Sequence, residues 1–185
     1  MYRPISILHV VSFIVERYVN LHFKTFIEAN DLLYSRQSGF RENHSCQTSL
    51  IRIIDDWITA IDNNQIVGRL MLDLSKAFDL VNHSILLTKL ESYGLHISTF
   101  NWFKSYLKDR SQQTYVSGLY SNPGHVFTGV PRGSVVGPTL FLLYINDLPL
   151  SLTNSTADIF FRRFNSFCSK LQCTWPVRFS LRWSC

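Results

Sequence analysis

The sequence predicts an α+β fold in which helices carry most of the chain and pack on a short antiparallel sheet. Three observations predict it. Apolar residues recur at helical spacing in most segments before Pro149. Strand-like runs are few and short, the clearest being Ile66 to Leu72. Ser117-Gly118 separates two short β-prone runs as a hairpin turn would. With 185 residues, 46% of them hydrophobic and 17% charged, the chain is long and apolar enough for a real core.

The elements follow in order. Residues 5–29 read as an amphipathic helix with Ile7, Val11, Ile14, Val15, Tyr18 and Val19 on its inner face. The same stretch resembles a short leader peptide, but His9, Ser12 and Glu16 interrupt it and no small-residue cleavage site follows. Asn30 to Ser35 is a break, and Gln37 to Cys46 a polar loop around Gly39. Ser45 caps a helix to about Asp62 that buries Leu50, Ile53, Ile54, Trp57, Ile58 and Ile61. Ile66 to Leu72 is a strand. Asn82 to Tyr93 is a helix stopped by Gly94, and Ser98 caps another to about Lys108 that buries Phe100, Phe103 and Leu107. Thr114 to Val116 and Leu119-Tyr120 form the hairpin, and Val126 to Val130 is a further short strand. Thr139 to Asn146 is an apolar helix, closed by Asp147-Leu148-Pro149.

Charge says little about partners. The formal net charge is +5, but Arg162, Arg163, Lys170, Arg178 and Arg182 supply all of it in an acid-free tail. The 13 basic and 13 acidic residues before Arg162 cancel. Three of the four cysteines share that tail, and Cys168-x4-Cys173 lacks a neighbouring histidine, so neither a zinc site nor a disulfide framework is indicated. A reducing, intracellular setting is expected, nucleus or cytoplasm. No apolar run reaches the roughly 18 residues of a membrane-spanning helix.

The chemistry concentrates in Leu70-Met71-Leu72-Asp73-Leu74-Ser75-Lys76-Ala77-Phe78-Asp79. A buried strand ends on a carboxylate and passes into a polar turn with a second one. Phosphoryl transfer needs metal ions to clamp the attacking and leaving oxygens, and magnesium takes oxygen ligands from converging backbone segments. Asp73 is the obvious first ligand, with the backbone carbonyl of Leu74 as the second. Taken alone, Asp73 reads equally as a helix cap and Phe78 as core. Asp79 reads as a cap for the following helix.

This string, with Tyr2-Arg3-Pro4-Ile5-Ser6 and Ser38-Gly39-Phe40-Arg41 before it and Gly129 to Pro138 and Tyr144 to Pro149 after it, resembles the reverse transcriptases of non-LTR (LINE-type) retrotransposons. Five strings in the family's order are far more specific than any one. The resemblance covers residues 2–160. It implies a partial fingers–palm of a right-handed polymerase, palm incomplete and thumb absent. It implies RNA-directed DNA polymerisation by two-metal nucleotidyl transfer, with Mg2+, deoxynucleoside triphosphates, an RNA template and a DNA primer. By that resemblance Asp73 is the catalytic metal ligand and Phe78 the ring that excludes a 2′-hydroxyl. Arg132 and Gly133 lie in the nucleotide-contacting loop, where the family usually has Gln in place of Arg132. Arg3 and Arg41 are candidate triphosphate or template contacts, or solvated arginines. His44 and His83 belong to the matching strings without an evident acid–base or metal role.

One motif is missing. After Ser155 to Phe160 the family has an aromatic-Ala-Asp-Asp hairpin, and here Phe161-Arg162-Arg163-Phe164-Asn165-Ser166-Phe167 follows. The coding CGA CGA TTC AAC TCT TTT gives Arg-Arg-Phe-Asn-Ser-Phe and, one nucleotide later, Asp-Asp-Ser-Thr-Leu. Two segments are therefore predicted: a partial reverse transcriptase domain at 1–160, and a non-homologous, frameshifted and poorly ordered tail at 161–185. Asp158, lying before the expected hairpin, does not substitute for the pair. The fragment is expected to be inactive. The alternative is a catalytically dead RNA-binding or structural remnant.

Overall fold

The computed structural model describes residues 6–74, 76–152, 155–161 and 169–177; for 71–73, 160–161 and 169–177 it describes the backbone alone. Helices α1 (Val10–Ala29), α2 (Cys46–Asp62), α3 (His83–Ser92), α4 (Ile97–Leu107) and α5 (Gly137–Ile145) alternate with strands β1 (Ile66–Asp73), β2 (Ser111–Gln112), β3 (Tyr115–Val116), β4 (Leu119–Tyr120), β5 (Gly124–His125), β6 (Thr156–Phe161) and β7 (Ser169–Val177). This is a mixed helix and short antiparallel strand architecture, as the sequence indicated. None of the described helices is long and apolar enough to cross a membrane.

The chain forms two compact units. The first takes in Met1–Leu32 and Lys76–Ile145. Its centre is α5, on which Leu140, Phe141, Leu142, Leu143 and Ile145 are all buried. A helix apolar on every side can only be a core helix. Burying each such side chain contributes roughly 1.5–3 kcal/mol. α3 packs against both α5 and α4. Phe103 is fully buried with its ring 4.6 Å from that of Phe23, so α4 also meets α1. Asn82 caps α3 by accepting from the Ile85 N–H at 3.1 Å, and Gly94 follows its end at φ +74°.

The second unit takes in Leu33–Ser75 and Asn146–Cys185. Its sheet has the order β1-β7-β6, antiparallel throughout. α2 packs on β1 and β6. Ser45 and Thr48 form a reciprocal capping box at the start of α2. Residues 36–38 run beside Ile159 in parallel, through Ser38 N–H to Ile159 O at 2.8 Å and Ile159 N–H to Arg36 O at 3.2 Å.

Several expectations need correction. α1 begins at Val10, and its inner face is Glu16, Phe23 and Ile27, while Ile7, Val11, Ile14, Val15 and Tyr18 are exposed. α2 buries Ser49 and Ile53, leaving Leu50, Ile54, Ile58 and Ile61 exposed. Both helices are apolar over more than one face, so periodicity left their orientation open. α4 is capped by His96, which accepts from the Ser98 N–H; the helix starts at Ile97, two residues earlier than a cap at Ser98 would give. Val126 to Val130 is not a strand; only Thr128 bridges, to Asn82. Ser169–Val177, within the segment expected to be a non-homologous tail, form β7, the middle strand of the sheet. Its sequence alternates Leu171, Cys173, Trp175 and Val177 with Lys170, Gln172, Thr174 and Pro176, the two-residue period a strand requires.

Candidate functional site

In the second unit β1 ends on Asp73, so the carboxylate-bearing residue does terminate a strand, with Leu74 directly beyond it. Its register partner on β7 is Lys170. Asp158 lies on β6 in the row of Gln172 and Met71. The two aspartates are thus two strands and two rows apart, about 12 Å between backbone positions. Arg41 is half-buried in the loop before α2. Arg3 lies outside the described residues, as does Tyr2-Arg3-Pro4 as a whole.

Asp158 is 1% exposed. One carboxylate oxygen is 3.6 Å from an Arg36 nitrogen, and neither oxygen accepts a hydrogen bond among the described residues. Arg36 forks instead onto Asp56 on α2, where one of the two contacts is 3.2 Å. Burial pushes the Asp158 carboxyl above the ordinary range, against the pull of Arg36 and Arg52. Folding therefore shifts the balance toward the neutral acid relative to the unfolded chain. Its contribution to stability is present below the usual carboxylate range and lost as pH rises through the raised value. Asp158→Asn should flatten the pH dependence of the urea midpoint and raise stability at pH 7 by up to about 1 kcal/mol. A variant less stable than the parent at pH 7 would show that the Arg36 contact outweighs desolvation.

Magnesium requires several converging oxygens. Among the described residues no three His, Cys, Asp or Glu side chains cluster to supply them. Asp158 is buried against a guanidinium, and the residue opposite Asp73 is a lysine.

Within the first unit, the residues from Phe78 to Val81 are laced to the Gly129 loop. Gly129 N–H donates to Val81 O at 2.7 Å, Val130 N–H to Phe78 O at 2.8 Å, and the Thr128 hydroxyl to Asp79 O at 3.1 Å. The His83 ring nitrogen Nε2 meets Gly129 O at 2.7 Å. Gly129 sits at φ +90°, and a Cβ there would fall 2.8–2.9 Å from backbone atoms of Asp79 and Phe78. Only glycine allows this approach.

Phe78 is 5% exposed, its ring 4.8 Å from that of Phe141. Arg132 donates to both oxygens of Asp79, from Nε at 2.9 Å and from a terminal nitrogen at 2.5 Å. The expected cap at Asp79 is thus corrected: Asn82 caps α3, and Asp79 takes the guanidinium. Arg132, read from the sequence as a nucleotide contact, presents its fork to a carboxylate of its own chain. Gly133 follows it, exposed, at φ +96°. The Ser134 hydroxyl donates to Pro131 O at 2.8 Å and accepts from Gly137 N–H at 3.0 Å, which closes the loop onto α5.

Two residues around this loop were given no role by the sequence reading. His83 ties α3 to the loop. Glu16, 3% exposed, accepts from Val135 N–H at 2.7 Å and from the Tyr106 hydroxyl at 3.0 Å. Tyr106 is pushed up to about 12, first by its burial and further by the Glu16 carboxylate. An acid within an apolar helical run was the available signal.

Comparison with known proteins accords with this arrangement. The sequence profile of the family described as reverse transcriptase (RNA-dependent DNA polymerase) matches residues 1–168, somewhat beyond the expected limit at 160. The chain is 36% identical over 148 residues to the probable RNA-directed DNA polymerase from transposon X-element of Drosophila melanogaster, covering 80% of this chain and 16% of that protein. It is 32% identical over 157 residues to the corresponding probable polymerase from transposon BS of the same fly, covering 85% and 17%. It is 32% identical over 148 residues to the RNA-directed DNA polymerase from mobile element jockey of Drosophila funebris, covering 80% and 16%. The chain belongs to the reverse transcriptase family. Its relatives place it with the enzymes of non-LTR retrotransposons, and it spans about a sixth of their length.

Proposed function

We propose that this chain is fingers-and-palm sequence of a right-handed RNA-directed DNA polymerase from a non-LTR retrotransposon, and that by itself it does not extend a primer. The observation that carries the reading is the junction. Within the first unit, Phe78, Asp79 and Val81, which belong to or follow the Asp73 string in sequence, are bonded to the Gly129-Val130 loop. In this reading Asp73 and the Leu74 carbonyl are the metal-facing groups, Mg2+ is the ion, and Phe78 sets sugar selectivity. RNA template, DNA primer and deoxynucleoside triphosphates are the partners. Gly133, Arg41 and Arg3 remain candidates for phosphate or template contact. Arg132 acts through Asp79.

Inactivity follows from the sequence after residue 161, where Arg162-Arg163 stands in place of the carboxylate pair. A two-metal centre deprived of those carboxylates loses most of its rate. In a primer-extension assay with Mg2+ no incorporation is expected. Incorporation that disappears in Asp73→Ala would overturn this. We attribute the missing pair to a shifted reading frame, for which the Asp-Asp-Ser-Thr-Leu alternative coding is the support. Sequencing the transcript and its locus across codons 155–170 decides it, and any other coding there makes the tail the chain's own.

A further inference from the structure

A β-ribbon of the first unit takes no part in the junction just described. It runs from Arg110 to His125. β2 and β5 form its base, closed by Val126 N–H to Arg110 O at 2.8 Å, and β3 and β4 its tip. Ser117 and Gly118 turn it at φ +50° and +87°. Every residue from 111 to 125 is exposed. An exposed two-stranded ribbon is marginal in water, and this one is held by local bonds such as Thr114 N–H to the Ser121 hydroxyl at 2.9 Å.

Its chemistry is selective. Tyr115 and Tyr120 are register partners, so their rings share one face, 4.7 Å apart and 58% and 71% exposed. Phe127, 80% exposed, lies just beyond the base. Gln112, Gln113, Thr114, Ser121 and Asn122 supply hydrogen-bonding groups between the rings. Between Asp109 and Asp147 the sequence has no acid at all. Arg110 stands at the base, its guanidinium 4.9 Å over the Tyr106 ring, and Lys104 and Lys108 end the helix before it. The nearest acid, Asp109, lies 3.7 Å from Lys108. The ribbon then leads in four residues from His125 to Gly129, the loop laced to Phe78 and Asp79.

Exposed paired rings without carboxylates among them suit bases on a polyanionic strand. Each base has a π-face to stack, and the absence of acids leaves the phosphates unopposed. An acid-free surface with amide and hydroxyl groups between its rings matches this better than the apolar groove of a protein partner. We propose that the Arg110–Phe127 ribbon is a stacking platform for single-stranded RNA, engaging the template strand beside the Gly129 loop. The identity of that strand as template rests on the polymerase reading above; the stacking chemistry does not.

The test is fluorescence polarisation of the whole chain with a labelled, unstructured adenosine-rich 20-nucleotide RNA at low and moderate salt. Salt-sensitive binding is expected, with Tyr115→Ala/Tyr120→Ala weakening it about tenfold or more and Tyr115→Phe/Tyr120→Phe retaining it. Far-UV circular dichroism should be alike for all three, because no packed core underlies the ribbon. Equal affinity of the Ala and parent chains, no binding by the parent, or a change in oligomeric state without a change in RNA affinity would each overturn the proposal. Primer extension reads separately. Incorporation with ribbon-insensitive RNA binding would sink the platform and spare the polymerase assignment. Ribbon-dependent binding without incorporation would support the platform and agree with the predicted inactivity.

Discussion

Gly129→Ala is expected to lower the stability of the chain by about 2–6 kcal/mol, read as a fall in the urea midpoint at unchanged slope. Two costs combine. A non-glycine residue at φ +90° is strained by roughly 1–3 kcal/mol. The new methyl would meet Asp79 O, Asp79 Cα and Phe78 O at 2.8–2.9 Å, and backbone cannot step aside as a flexible side chain can, which adds about 1–3 kcal/mol. Relief would require breaking Gly129 N–H to Val81 O or Val130 N–H to Phe78 O, the bonds that hold the polar turn to the loop. Gly118→Ala is the internal control. It has φ +87° but nothing within 4 Å of a built Cβ, so only the conformational cost, about 1 kcal/mol, is expected there. If the two variants lose the same amount, the close approach at Gly129 is not what the junction depends on.

Glu16→Ala is the second large effect, with an expected loss of about 3–5 kcal/mol in the same measurement. The side chain is buried, and its removal leaves a backbone N–H at Val135 and a hydroxyl at Tyr106 without their acceptor, besides a cavity. Glu16→Gln keeps one carbonyl acceptor and the volume, and should recover about half of the loss. The Ala variant should also free the Tyr106 ring from the carboxylate that helps hold it near 12, so its spectrophotometric titration should move down. A Glu16→Ala chain as stable as the parent would mean that water replaces the carboxylate at no cost.

Both residues illustrate where sequence reading stops. Helix ends were legible where the signal is local, as at Ser45 with Thr48 and at Gly94 after α3, but the caps of α3 and α4 proved to be Asn82 and His96 in place of Asp79 and Ser98. The hairpin at Ser117-Gly118 was legible for the same reason. The inner faces of α1 and α2 were not, because each carries apolar residues on more sides than it buries, and the choice falls to partners far along the chain. Glu16 is fixed by Val135, 119 positions away, and Asp79 by Arg132, 53 positions away. The site was legible as a set of strings in a family's order, which gave membership and the strand-ending position of Asp73. It did not show that Arg132 turns back on Asp79. β7 lies in the segment read as a non-homologous tail, and the alternation of its residues is present in the sequence.

The fork between Arg132 and Asp79 binds the fates of two codons. The Arg132 guanidinium meets the Asp79 carboxylate through two nitrogens and two oxygens. Asp79 is the more open of the two, 39% exposed against 15% for Arg132. Residues that act as such a unit are not additive, so a double-mutant cycle over 79 and 132, and not either single substitution, measures what the pairing contributes.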